Sequence, residues 1–322
     1  MNTRRKLLIA LGAGGLIAPL APFAQQPRLF RVGVLSTASS PNVTAFTQEM
    51  EKLGWIDGRN ISFESRHADG NIDRLPALAS EIVQHKVDVI LTLSGTVTQA
   101  ARRVAGTIPI VFVTVIDPVS MGLVTSRARP GGNITGITGV GSDLIARRLH
   151  LLQEVVPKMT RAAVFTTGEP TDILQLAEVQ RAAGAIGIDV LPVRVRSGGD
   201  LPQALAMLRR WHANSIYVLD ASINFHNREM LATFAAENKI PMIAGSIPFA
   251  QAGGLISYGS NYEDLSRRAA TLVDKILKGA RPSDLPVEQP ASVELVINAK
   301  TARALGLAIP QSLLISADKV IE

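Results

Sequence analysis

Strand-like and helix-like segments alternate along almost the whole of this chain, and that order leaves it few folds to adopt. Arg31 to Leu35 is a short apolar run that ends in a polar turn, Ser36 to Pro41. Val43 to Leu53 then carries apolar residues at helical spacing until Gly54 stops it. Ile61 to Ser65 alternates as a half-buried strand does, and Ile72 to Gln84 reads as a helix. The apolar run from Val87 to Leu93 is the mark of a parallel strand covered on both faces. Ser94-Gly95-Thr96 opens a helix that continues through Val104. Ile108 to Ile116 is a fourth strand, ended by Asp117-Pro118, and Asn133 to Ile137 is a fifth. Strands separated by helices in this way predict a doubly wound parallel sheet.

The pattern then restarts. Leu144 to Val156 reads as a helix closed by Pro157, followed by a strand at Ala162 to Phe165, a helix at Ile173 to Ile186 and a strand at Val190 to Val195. Leu201 to Trp211 and Arg228 to Asn238 are helical, and Ser215 to Leu219 and Pro241 to Ala244 are strands. Beyond Gly253-Gly254 come a strand at Leu255 to Tyr258 and a helix from Tyr262 to Leu277. An extended stretch from Pro282 to Pro290, a strand at Val293 to Ile297 and a helix at Lys300 to Leu305 complete the order. The expected fold class is α/β, with two Rossmann-like units of similar size in tandem.

In open α/β sheets ligands sit beyond the carboxyl ends of the strands, where helix starts aim N–H groups outward. The strand ends here are rich in Ser, Thr, Gly and Asp, which makes them the candidate binding residues. Ser94, Gly95 and Thr96 follow an apolar strand and suit a carboxylate, though Ser and Thr also serve as plain helix caps. Ser36 and Thr37 occupy the same place after the first strand, with the same two readings. Asp117 is placed to hold a ligand ammonium or to start the turn at Pro118. In the second unit Thr166, with Thr167 and Gly168, and Asp220, with Ala221 and Ser222, end strands in the matching way. Asp220 follows a wholly apolar strand, so its carboxylate is desolvated and needs a cation. Asn224 and Phe225 lie just beyond and line the same wall; Gly245-Ser246 is a weaker candidate. Tyr258 either covers an apolar ligand or packs in a hinge. Trp55 and Trp211, the only tryptophans, sit at helix ends and read as packing anchors.

Arg4, Arg5 and Lys6 precede an apolar run from Leu7 to Ala18, and a short small-residue tail follows to Ala24. That is the order of an export signal, too short for a membrane span of about 20 residues. The arginine pair fits either the twin-arginine or the general export route. Cleavage after Ala24 is expected, with residues 1–24 removed. Without any cysteine the chain has no lipid attachment point and no disulfide, so the expected product is not a lipoprotein and is held by its core alone. Removing the three basic residues of the signal from a net +6 leaves 30 basic against 27 acidic residues, a net +3. Such a balance, with no long basic run, gives no footprint for nucleic acid.

Several segments together resemble one family. They are Phe46 to Asn60, Ile108 to Gly136 with its Arg129-Pro130-Gly131-Gly132-Asn133 turn, Ala252 to Gly279, Pro286 to Pro290, Glu294 to Asn298 and Ala304 to Leu307. In these the chain is similar to the periplasmic substrate-binding proteins of ABC transporters typified by bacterial tryptophan/tyrosine-binding components, which share the bilobed type I fold of leucine/isoleucine/valine-binding proteins. The resemblance implies two lobes with parallel sheets joined by three crossover segments. Crossings near residues 142, 250 and 286 would divide the chain into 28–142 plus 250–285 and 143–249 plus 286–322. It also implies a soluble, monomeric protein in the periplasm that holds a small ligand between its lobes and passes it to an ABC permease in the inner membrane. The expected cargo is an amino acid or related small zwitterion, with its carboxylate at Ser94 to Thr96 and its ammonium at Asp117 or Asp220.

Two rival functions use the same fold: a periplasmic sensor feeding a membrane receptor, and an exported α/β enzyme. Thiol catalysis is excluded by the absence of cysteine. The five histidines, His67, His85, His150, His212 and His226, are scattered without metal-ligand spacing. The glycines of Gly12 to Gly15 follow no strand, and no P-loop or Gly-x-Ser-x-Gly elbow occurs. No cofactor, no metal and no catalytic residue is therefore expected. An aromatic content of 4% argues against a sugar site, which stacks rings on several aromatics.

Overall fold

The computed structural model describes residues 28–139, 142–168, 170–196 and 198–322. The export segment, its cleavage point and the centre of the first crossover, residues 140–141, lie outside the described residues. The first unit runs β1 (Phe30–Ser36), α1 (Pro41–Lys52), β2 (Ile61–His67), α2 (Leu75–Gln84), β3 (Val89–Leu93), α3 (Gly95–Ala105), β4 (Ile110–Val115) and β5 (Ile134–Thr138). Its strands pair in parallel in the order β2-β1-β3-β4-β5. The second unit runs α4 (Ser142–Val155), β6 (Arg161–Thr166), α5 (Pro170–Ala185), β7 (Asp189–Arg194), α6 (Leu201–Trp211), β8 (Ser215–Val218), α7 (Ser222–His226), α8 (Arg228–Glu237), β9 (Met242–Ala244), α9 (Ile247–Gln251) and β10 (Ile256–Gly259). The chain ends with α10 (Tyr262–Leu277), β11 (Glu294–Asn298), α11 (Ala299–Ala304), α12 (Gln311–Ser316) and β12 (Lys319–Ile321). The second sheet has the order β12-β11-β10-β9-β8-β6-β7.

Local chemistry sets the helix boundaries. Ser40 accepts a hydrogen bond from the Asn42 amide, and Pro41 opens α1 with no N–H to leave unsatisfied. Asn261 caps α10 by accepting from the amides of Glu263 and Asp264. The buried face of α10, including Leu265, Ala269, Leu272, Val273 and Ile276, packs against α1 and the first sheet. Full burial of each large aliphatic side chain there stabilises by roughly 1.5–3 kcal/mol. Trp55 closes that seam: its indole N–H donates to Asp274 on α10 at 2.8 Å, and its ring meets Phe30 edge-on. Trp211 packs on the second core, with the Arg161 guanidinium over its ring.

The structure departs from the sequence expectation in three places. The strand β10 is hydrogen-bonded to β9 and so belongs to the second sheet; residues 250–259 are not part of the first lobe, and the chain crosses between Gly259 and Tyr262. The third crossing is also later than residue 286, because Glu288 still pairs with Ile137 of β5 and the Glu288 carbonyl accepts from the Thr138 amide. The second sheet is not wholly parallel either: β11 runs antiparallel to β10 and carries β12 beside it. The short helices α7, α9 and α12 and the edge strand β12 were not anticipated, since segments of three to six residues hold too few turns to show a period.

Candidate functional site

The carboxyl ends of β1, β3 and β4 face those of β6, β8 and β9 across a cleft enclosing about 1090 Å³ of empty space, counted out to its mouth. In each sheet the parallel strands deliver their small polar terminal residues to one edge, and these two edges line the cleft. Contacts also cross the cleft. The Tyr262 hydroxyl at the start of α10 donates to Asp220 Oδ1 at 3.1 Å, Arg196 approaches Asp73 to 3.9 Å, and Gly70 lies against Ile223 and His226.

The first wall is built around a helix start. Ser94 ends its strand with φ of 119° and ψ of 165°, a conformation that side-chain-bearing residues rarely take. Its hydroxyl makes no capping bond and, among the described residues, has no hydrogen-bond partner, although it is buried. Gly95 and Thr96, the first residues of α3, line the same space, and amides at a helix start have no partner within the helix. Thr114, at a register shift in β4, is a second strained residue with φ of 64°. Its hydroxyl donates to the Val113 carbonyl at 2.7 Å. Beside these, the Ser36 hydroxyl shares a 2.7 Å hydrogen bond with His67 Nδ1 and donates to the Ala38 carbonyl at 2.8 Å.

The second wall is built on buried charge. Arg148 of α4 is fully buried, and its Nη1 donates to Asp220 Oδ2 at 2.7 Å while its Nε donates to the Tyr258 carbonyl at 2.6 Å. Burial works against the guanidinium charge, but Asp220 beside it, helped by the nearby Tyr217 and Tyr262, more than offsets this and holds its pKa above the ordinary value. Gly245 and Gly259 leave room for this group, since a Cβ on either would run into the guanidinium or into backbone. Burial and the neighbouring Asp220 charge raise the Tyr262 phenol well above its ordinary pKa, so it stays a donor. Beyond Asp220 lies Asp172 in the first turn of α5, 2% exposed. Its Oδ2 accepts from the Thr167 amide and hydroxyl at 2.6 Å each, and from the Thr166 hydroxyl at 3.3 Å. Burial pushes this carboxyl above the usual range; the three threonine bonds oppose that, and the Asp220 charge adds to it. Between the walls, Ile72, Leu93, Ile116, Leu219, Phe225 and Phe249 give the cleft an apolar middle.

Of the expected residues, Ser36, Thr37, Ser94, Gly95, Thr96 and Asp220 line the cleft, as do Phe225 and Ser246. Four do not. Asp117 turns back on its own loop, where its carboxylate accepts from the Val119 and Ser120 amides and the Ser120 hydroxyl. Partial burial raises its pKa, but these bonds and Arg127 outweigh that and hold it below the usual range. Thr166 is spent on Asp172 and the Gly168 amide. Asn224 is buried, its amide donating to the carbonyls of Phe165 and Leu219. Tyr258 packs against the second core and offers only its carbonyl, to Arg148. Asp220 is at the cleft, but the cation it needs comes from within the protein. Arg148, Asp172, Thr114 and Tyr262 were missed. Asp172 alone left a sequence signal, an acid immediately before the helix expected from Ile173, and that signal is shared with ordinary helix caps.

Two α/β sheets facing each other across a polar-rimmed, apolar-centred cleft define the bilobed architecture of periplasmic binding proteins. The family model for ABC transporter substrate binding proteins matches residues 33–321, and the chain belongs to that family. It is 28% identical to a tyrosine-binding protein of Clostridioides difficile over 86% of this chain and 81% of that one. Among solved structures, a conserved domain protein from Vibrio cholerae superposes with a TM-score of 0.83 at 26% identity, over 90% of this chain and 99% of the other. A Streptococcus pneumonia ABC domain in complex with L-Trp also gives a TM-score of 0.83, at 22% identity over 91% and 99% of the two chains.

Proposed function

We propose that this chain is the solute-capturing component of an ABC importer, working outside the cytoplasm and handing its cargo to a membrane permease. The cargo is a small zwitterion with an apolar side chain, an amino acid of the larger apolar or aromatic kind. The observation that carries this reading is the opposition of the two walls. One offers the start of α3 with the unpartnered Ser94 hydroxyl; the other offers carboxylates; the space between them is apolar. A ligand carboxylate fits the first wall, where amide groups and the helix dipole favour negative charge. A ligand ammonium fits the second, and a ring or branched chain fits against Phe225 and Phe249, which pack edge to face on each other at the cleft. The strain at Ser94 and Thr114 supports the same reading, since unfavourable backbone persists where function needs it. The tyrosine-binding relative and the L-Trp complex bind ligands of this class.

Capture works by bias between open and closed arrangements. A ligand touching both walls adds contacts that exist only when the lobes are closed, and the equilibrium moves by the free energy of those contacts. The test is a thermal-shift screen of the protein from Gln25 onward against the amino acids, followed by calorimetry on the hits. A ligand at 100 times its Kd adds about 2.7 kcal/mol of stability. Stabilisation by tryptophan, tyrosine, phenylalanine or leucine is the expected result. Stabilisation only by sugars or by solutes without an ammonium group would overturn the cargo assignment.

A further inference from the structure

Asp220 has the better sequence credentials for holding a ligand ammonium, yet its oxygens are already engaged. Oδ2 takes Arg148 Nη1 and Oδ1 takes the Tyr262 hydroxyl. Its charge is matched by a cation that is fully buried and, among the described residues, has no carboxylate partner besides it. Asp172 stands differently. It is as buried as the hydrophobic core, it lines the cleft, and among the described residues no Arg, Lys or His lies within ion-pair distance of it. All three of its hydrogen bonds fall on Oδ2, and among the described residues Oδ1 has no donor. Arg194 nearby is exposed and spends its Nε on the Thr167 carbonyl, so among the buried groups of the wall two carboxylates face the one guanidinium of Arg148, and the second carboxylate has no buried cation of its own. A buried anion in that state is costly to keep and is retained most simply where a cation arrives to pair with it.

We propose that Asp172, through Oδ1, is the seat of the ligand's ammonium group and the residue that makes the cleft select amines, while Asp220 is the internal counter-ion of Arg148. Thr166 and Thr167 orient the carboxylate by occupying its other oxygen. Gln175 stands behind both acids: its side-chain carbonyl accepts from the Asp220 amide, and among the described residues its buried Nε2 has no partner. This inference rests on the amino-acid reading of the cleft and narrows it to one group.

The experiment compares Asp172→Asn and Asp220→Asn with the wild-type protein by calorimetry. The probes are L-tryptophan, L-tyrosine and L-leucine, each paired with the acid that lacks the α-amino group, such as indole-3-propionate for tryptophan. Asparagine keeps an oxygen for the Thr167 donors, so Asp172→Asn retains its fold, which circular dichroism verifies. The wild-type protein is expected to prefer the amino acid over its deaminated partner. Asp172→Asn should lose at least about 30-fold for the amino acid and little for the deaminated acid, collapsing the preference. Asp220→Asn should lose stability and weaken both probes alike. Unchanged amine preference in Asp172→Asn overturns the assignment and leaves the amino-acid reading standing; collapse in Asp220→Asn alone moves the seat there. If the wild-type protein binds no amino acid, or prefers the deaminated acids, the amino-acid reading fails and this inference with it.

Discussion

The Arg148 guanidinium and the Asp220 carboxylate meet at 2.7 Å beneath the cleft, with the arginine side chain wholly shielded from solvent and the aspartate 12% exposed. A pair so placed holds the second wall in register, because Arg148 also reaches the Tyr258 carbonyl on β10. Breaking it from one side strands a buried charge. Asp220→Ala is expected to destabilise the protein by about 3–5 kcal/mol, measured by urea unfolding. A loss under about 1 kcal/mol, the range of exposed pairs, would show that the pair is solvated in solution.

The space for that pair is made by glycine. At Gly245 a Cβ would overlap both the Asp220 carboxylate and the Arg148 guanidinium, neither of which has slack to move. Gly245→Ala should therefore destabilise by roughly 1–3 kcal/mol or more, the range of overpacked cores. It should also lower ligand affinity, since the displaced carboxylate lines the cleft. Melting temperature and calorimetry on the same sample read both effects.

Much of this architecture is legible in the sequence, and the reasons differ by element. The helices at Leu201–Trp211 and Tyr262–Leu277 match their expected bounds residue for residue, because their apolar spacing and flanking residues agree. The Ser94 turn is legible because a buried strand leads straight into a helix start. Strand direction is not written in an apolar run, so β11 reads the same whether it lies parallel or antiparallel. Arg148 follows Arg147 on a helix with an apolar face, and the two look alike. One is solvent-exposed and paired with Glu154, the other enclosed by residues up to 110 positions away. Asp117 and Asp220 likewise share a strand-end position, and only packing sends one to its own loop and the other to the cleft.

Ser94 combines an unfavourable backbone with an unpartnered buried hydroxyl, and the two features predict opposite responses. Ser94→Gly relieves the backbone and is expected to stabilise the ligand-free protein by about 1 kcal/mol. The same change removes the hydroxyl from the helix start and should weaken ligand binding by roughly tenfold. Urea midpoints and calorimetric titrations of the variant check both. A variant that loses stability and keeps affinity would place Ser94 in the scaffold alone.

Tyr262 packs with the first core while its hydroxyl bonds Asp220 of the second sheet, so it ties the lobes together. Tyr262→Phe removes that tie and leaves the ring in place. About 1 kcal/mol of closure energy should be lost. Ligand affinity should fall about fivefold, and the ligand-free protein should show a larger radius of gyration in small-angle scattering. An unchanged radius and affinity would mean that the hydroxyl contributes nothing to closure.

Asp172 makes stability depend on pH in a direction opposite to most carboxylates. Burial holds its folded-state pKa above the ordinary value, so the folded chain binds the proton more tightly than the unfolded chain does. Its protonation therefore adds stability as the pH falls through the raised value toward the ordinary carboxylate range, and its ionisation costs stability above it. Asp172→Asn removes this cost. Without ligand, the variant should melt above the wild-type protein near neutral pH, with the gap narrowing as the pH is lowered from about 8 to about 4. With an amine-bearing ligand the order should reverse, since only the wild-type protein gains a partner for its charge. A ligand-free variant that melts below the wild type at neutral pH would show that the ionised carboxylate is already compensated, and that the cleft holds no vacancy for an ammonium group.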